Sequence, residues 1–139
     1  MKFVDASVFL YAYLKPKRAI PANVAQMKRN ARGIISRINA GEMVSTSLTH
    51  VSEVANILEA VMPINESHKV IRDLIYVSTI EVLEPSRENF FDAIEVAEES
   101  AVRLNDAVAY VLMRSNEIGE IYSFDKHFDQ LPDVKRISQ

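Results

Sequence analysis

The sequence predicts an α/β domain with three layers, α/β/α, in which helices cover both faces of a central, mostly parallel sheet of four or five strands. Three observations lead there. Short apolar runs alternate with longer stretches whose apolar residues recur at three- and four-residue steps. The chain of 139 residues has the length of one domain, and residues 1–139 are read as such. With 48% hydrophobic and 25% charged residues it can bury a core, which excludes disorder as a whole-chain reading.

Each element has its local cause. Lys2–Val4 is a short strand ended by Asp5, and a helix follows over Val8–Leu14. Pro16 and Pro21 bracket a turn. Val24, Met27, Ala31, Ile34, Ile35 and Ile38 then mark one face of a long helix that runs to about Ala40, with Gly41 as its stop. Met43–Thr46 reads as the second strand. Leu48, Val51, Ala55, Leu58 and Met62 form the stripe of the next helix, which Pro63 ends. A helix over Glu66–Val77 leads to a strand at Ile80–Leu83. Phe90, Phe91, Ile94, Ala97 and Ala101 mark a further amphipathic helix, whose acids Glu88, Asp92, Glu95 and Glu99 read as a solvated face. Asn105 is the expected N-cap of a buried helix over Asp106–Asn116. Strands at Ile121–Phe124 and Val134–Ile137 complete the chain.

Composition narrows the chemistry. There is no Cys, so disulfides, thiolate metal sites and cysteine nucleophiles are excluded. No apolar run approaches ~20 residues, and Asp5 interrupts the first one, so neither a membrane span nor a secretion signal is expected. A cytoplasmic location follows as the default. The net charge of −3 alone argues against a polyanionic partner, but its distribution does not. Between Ala6 and Gly41 there is no acid, while Lys15, Lys17, Arg18, Lys28, Arg29, Arg32 and Arg37 give +7. A basic surface of this kind faces either water or nucleic acid. In open parallel sheets the functional edge lies at the carboxyl ends of the strands. Asp5 and Asp125 both fall at that edge.

Four spaced acids carry a resemblance: Asp5 in VDASVF, Glu53 in SLTHVSEVANIL, Asp106 in LNDAVAYVLM and Asp125 in YSFDKHF. Their order and context resemble the PIN-domain ribonucleases, in particular the single-domain VapC-type toxins, over essentially the whole chain. In that family a first Asp ends strand one and a Glu lies early in the helix after strand two. A third Asp begins the long buried helix, and a fourth follows the next strand between a hydroxyl residue and a Phe. Here Ser123 and Phe128 frame Asp125. The family often has Thr directly after the first Asp, where this chain has Ala6 with Ser7 next.

The resemblance implies an endoribonuclease that hydrolyses RNA phosphodiesters with metal-activated water. Asp5, Glu53, Asp106 and Asp125 would be its metal ligands and catalytic acids. Ser7 and Ser123 would orient them. Mg²⁺ is the implied cofactor, with Mn²⁺ able to substitute, because carboxylate oxygens are hard ligands. Two like charges ~4 Å apart repel by about 4 kcal/mol at an effective dielectric of 20, so converging carboxylates call for cations or protons. Lys28, Arg29, Arg32 and Arg37 are the expected phosphate contacts. A small antitoxin protein and a homodimer are the implied partners.

Other readings stay open at this point. Asp5 and Asp125 could be turn residues, and Asp106 suits a helix N-terminus regardless of catalysis. Periodicity alone leaves Glu53 in solvent. His50, His68 and His127 show no metal-like pairing and read as structural or surface residues. A receiver-like signalling domain is excluded, because it needs a mid-chain acceptor Asp and no Asp occurs between Asp5 and Asp73. A non-catalytic binding module on the same fold remains the alternative.

Overall fold

The computed structural model describes residues 1–139. Five parallel strands form one sheet: β1 (Lys2–Val4), β2 (Val44–Ser47), β3 (Ile80–Leu83), β4 (Glu120–Tyr122) and β5 (Lys135–Ile137). Their spatial order is β3-β2-β1-β4-β5. The helices are α1 (Ala6–Tyr13), α2 (Ala22–Asn39), α3 (Leu48–Val61), α4 (Ile64–Tyr76), α5 (Arg87–Ser100) and α6 (Leu104–Ser115), with a short 3₁₀ helix at Lys126–Gln130. The three layers and the parallel sheet are those the sequence predicts. No helix is long and apolar enough to cross a membrane.

Two cores lie on opposite faces. Phe3 and Ile121 pack with α5 and α6, while Val4 and Tyr122 pack with α1 to α4. Adjacent residues of β1 and β4 therefore serve different cores, as the two-residue period of a strand requires. Burying a side chain of the size of Phe3 contributes about 1.5–3 kcal/mol. From β1 the chain moves outward through β2 and β3 with its helices on one face. It then returns through α5 and α6 on the other face to place β4 beside β1. Right-handed crossovers demand this exchange of faces. The direction of strand order reverses at β1, which opens a crevice beyond its carboxyl end.

Helix boundaries depart from expectation where capping decides them. Ser47 caps α3, its Oγ accepting the His50 N–H at 3.3 Å. Ser86 and Asn89 form a reciprocal capping box at α5. Asn105 is not the cap of α6: Arg103 holds that position, and Asn105 lies inside the helix. In α3 the buried face is His50, Val51, Val54 and Leu58, turned from the expected stripe, so that Leu48 is exposed. In α5 only Ala93 is buried, while Phe91 and Ile94 face outward. Gly41, at φ 121°, makes the turn out of α2 that a side chain would strain.

Candidate active site

All four predicted acids line one cleft of about 440 Å³ at the carboxyl edge of the sheet. Each arrives by a different route. Asp5 directly follows β1, Glu53 stands on α3, Asp106 on the first turn of α6, and Asp125 follows β4.

Asp5 is buried and held from one side. Its Oδ2 accepts hydrogen bonds from Ser7 Oγ and Ser123 Oγ, both at 2.8 Å. The same hydroxyls accept backbone N–H groups, Ser7 from Phe124 at 3.1 Å and Ser123 from Asp125 at 3.0 Å. The hydroxyl missing at Ala6 is thus supplied by Ser7, and Ala6 is itself packed in the core. Asp5 Oδ1 accepts no side-chain hydrogen bond and has His50 Nε2 at 4.0 Å.

His50 is completely buried, edge-on to Phe3 with ring centroids 5.1 Å apart. Ser47 Oγ lies 2.6 Å from its Nδ1. Because that Oγ already accepts the His50 backbone N–H, we assign its O–H as the donor to Nδ1, which leaves the ring proton on Nε2, toward Asp5. Burial lowers the His50 pKa, against the opposing pull of the Asp5 charge, so the ring favours its neutral form.

Glu53 is half-buried, not solvated as its periodicity suggests, and its Oε1 accepts from Asn105 Nδ2 at 3.2 Å. Burial raises its pKa; the Asn105 bond works against this, and the neighbouring Asp5 charge adds to it. Asp106 is pushed up to about 7, first by burial and then by the charges of Asp5 and Asp125, with His127 opposing. Asp125 caps the 3₁₀ helix, its Oδ1 accepting the His127 N–H at 2.9 Å. That turn brings the His127 ring back over the cap, with Nδ1 3.0 Å from Asp125 Oδ1 and 3.6 Å from Asp106 Oδ2.

The tightest group at this edge is therefore Asp106 and Asp125 of the cleft with His127 beside them, whose donor atoms all lie within 4.8 Å of one another. Asp5 and Glu53 share the cleft but stand outside that group. Three buried atoms here have no hydrogen-bond partner: Asp106 Oδ2, His127 Nδ1 and His50 Nε2. Orphaned buried polar atoms of this kind cost free energy that a ligand can recover. The oxygen-rich donor set fits a hard divalent cation. The sequence reading missed His127 and His50. The signal for His127 is its place two residues after an Asp that caps a turn.

The basic helix is less uniform than its sequence. Lys28 is buried, and its Nζ donates to the Tyr11 carbonyl at 2.8 Å and to that of Leu14. It closes the end of α1 and is not available as a phosphate contact. Burial, and then the charge of Arg32, lowers its pKa. Arg37 lies 3.6 Å from Glu42 and over the Tyr122 ring, at the amino edge of the sheet and away from the acids. Arg29 and Arg32 remain exposed on α2, with Lys15, Lys17 and Arg18 in the turn before it. Arg103 also lines the acidic cleft, at the start of α6.

The fold is thus a parallel sheet between helices with four acids gathered at its switch point. The family model of the PIN domain matches residues 2–134, and the chain belongs to that family. No curated protein matches it. Among solved structures, it is similar to the Mycobacterium tuberculosis toxin VapC20, described as cleaving the sarcin–ricin loop, with TM-score 0.67 and 20% identity over 90% of each chain. A toxin–antitoxin complex from Klebsiella pneumoniae gives TM-score 0.66 and 15% identity over 97% of this chain and 96% of that one. VapBC2 from Rickettsia felis, solved with a DNA fragment from its promoter, gives 0.66 and 11% over 98% and 96%. At these identities the likeness is one of fold.

Proposed function

We propose that the protein is a divalent-cation-dependent endoribonuclease and the toxin of a toxin–antitoxin pair. The observation that carries this reading is the meeting of Asp5, Glu53, Asp106 and Asp125 in one cleft, where Asp106 Oδ2 is buried without a hydrogen-bond partner. Family membership and the toxins among its structural likenesses support it.

Asp5, Asp106 and Asp125 would hold the cation, with Glu53 facing it across the cleft; Mg²⁺ is the expected ion and Mn²⁺ a substitute. When bound, the ion supplies activation of water and neutralisation of charge on the phosphodiester. Ser7 and Ser123 orient the site by donating to Asp5 Oδ2, which leaves Oδ1 free to ligate. Both hydroxyls have orienting roles in this reading, with water as the nucleophile, so no covalent enzyme intermediate is expected. Asn105 steadies Glu53. Arg103 at the cleft, with Arg29 and Arg32 on α2, would contact RNA phosphates without reading sequence. A small antitoxin protein and a second copy of the chain complete the proposal, with residues 1–139 acting as one domain in the cytoplasm.

The test is cleavage of RNA by purified protein with Mg²⁺ and with EDTA. Asp5→Asn and Asp106→Asn, both folded by circular dichroism, should lose more than ~100-fold in rate, since even outer partners of a metal ligand are worth 10–100-fold. Either variant cutting at the wild-type rate, or cleavage indifferent to EDTA, sinks the assignment and leaves a binding module.

A further inference from the structure

We propose that His127 Nδ1 is itself a ligand of the cation, a nitrogen donor that raises the affinity of the centre for Mn²⁺ relative to Mg²⁺. The inference rests on the metal-dependent reading above and adds a donor to it. Nδ1 lies 3.0 Å from Asp125 Oδ1, yet it makes no hydrogen bond there, and Asp106 Oδ2 facing it at 3.6 Å is also unpaired. Neighbouring ligands of one ion at ~2.1 Å stand about 3.0 Å apart at octahedral angles and about 3.4 Å apart at tetrahedral ones. The Nδ1–Asp125 separation equals the octahedral value, and the Nδ1–Asp106 separation lies just beyond the tetrahedral one.

Burial separates the two ring nitrogens. Nδ1 is closed off from water, while the side chain as a whole is 40% exposed, so the ring turns one nitrogen toward the acids and its opposite side outward. A neutral ring protonated at Nε2 then presents a lone pair at Nδ1. The position does not depend on the ring alone, because Asp125 Oδ1 accepts the His127 backbone N–H. Removing the imidazole therefore keeps the turn. An imidazole ligand shifts preference along the transition series, whereas Mg²⁺ favours oxygen donors and water.

The experiment is electron spin-echo envelope modulation on Mn²⁺-loaded protein in nitrogen-free buffer. Wild type should show ¹⁴N modulation, and His127→Ala should lose it, while His50→Gln keeps it. Calorimetry should show the ratio of Mn²⁺ to Mg²⁺ affinity falling by about tenfold or more in His127→Ala. Bound Mn²⁺ without nitrogen modulation, or modulation that survives in His127→Ala, overturns the ligand while leaving the nuclease reading standing. No bound Mn²⁺ in wild type overturns both.

Discussion

Asp106 decides how the cleft behaves without a cation. Its pKa in the folded chain is about 7, against an ordinary value of 3.8. Between those values the folded state holds a proton that the unfolded chain has released, so stability falls as pH rises through this window. Above the folded value the whole penalty is present, and below the ordinary value none of it is. Denaturation in EDTA should therefore show the wild type losing on the order of a few kcal/mol from pH 4 to pH 8 through this residue. Asp106→Asn should flatten that slope and match or exceed the wild type at pH 8. Mg²⁺ at ~100 times its dissociation constant should restore about 2.7 kcal/mol to the wild type at pH 8 and far less to the variant. Equal responses of the two proteins would show that Asp106 is not a ligand. Asp5, Asp106 and Asp125 were legible because each follows a recognisable strand or begins a recognisable helix, whereas Glu53, inside α3, was picked out by the resemblance alone. His127 was not, because its placement depends on a 3₁₀ turn, and reading Asp125 as a possible turn residue does not say where the ring two residues on returns.

At the scale of the element, α2 shows why counting charges misleads. Lys28 falls at helical spacing with Ala31, Ile34 and Ile38, the buried residues of that helix, and its amine is spent on carbonyls of α1. Lys28→Ala should cost ~1–3 kcal/mol by stranding those carbonyls, with no change in the salt dependence of RNA binding. The pair Arg29→Ala and Arg32→Ala should do the opposite. Stability should stay within ~0.5 kcal/mol, and the slope of log affinity on log salt should fall by about one per residue. Filter binding at several salt concentrations, alongside urea melts, separates these outcomes, and an unchanged slope in the double variant would remove α2 from the RNA surface. Periodicity found each helix but not its rotation. In α3 the expected stripe ran through Leu48 and Ala55, whereas Ser47 captures His50 and turns Val54 inward. That rotation is what carries Glu53 out of solvent.

Over the whole molecule, the alternation of strands and helices made the layers legible, while the strand order came only with the structure, since local pattern does not say which side of β1 receives β4. Self-association belongs to this scale too. Ile64 and Tyr76, at opposite ends of α4, are 60% and 80% exposed. Sizing at micromolar concentration should give a dimer, and a monomer without a co-purifying small protein would count against the toxin–antitoxin part of the proposal. The placement of β1 between β2 and β4 carries a consequence for synthesis. Phe3 pairs with Ile121 and Val4 with Tyr122, so the first strand made waits for almost the last. Until residue 125 has been added, Asp125 does not exist, and without β4 the hydroxyl of Ser123 cannot fix Asp5. Contacts of such long sequence separation form late. On the proposed function, a chain that has not yet reached residue 125 lacks one of the four acids of the cleft and cannot cut RNA, the message that encodes it included.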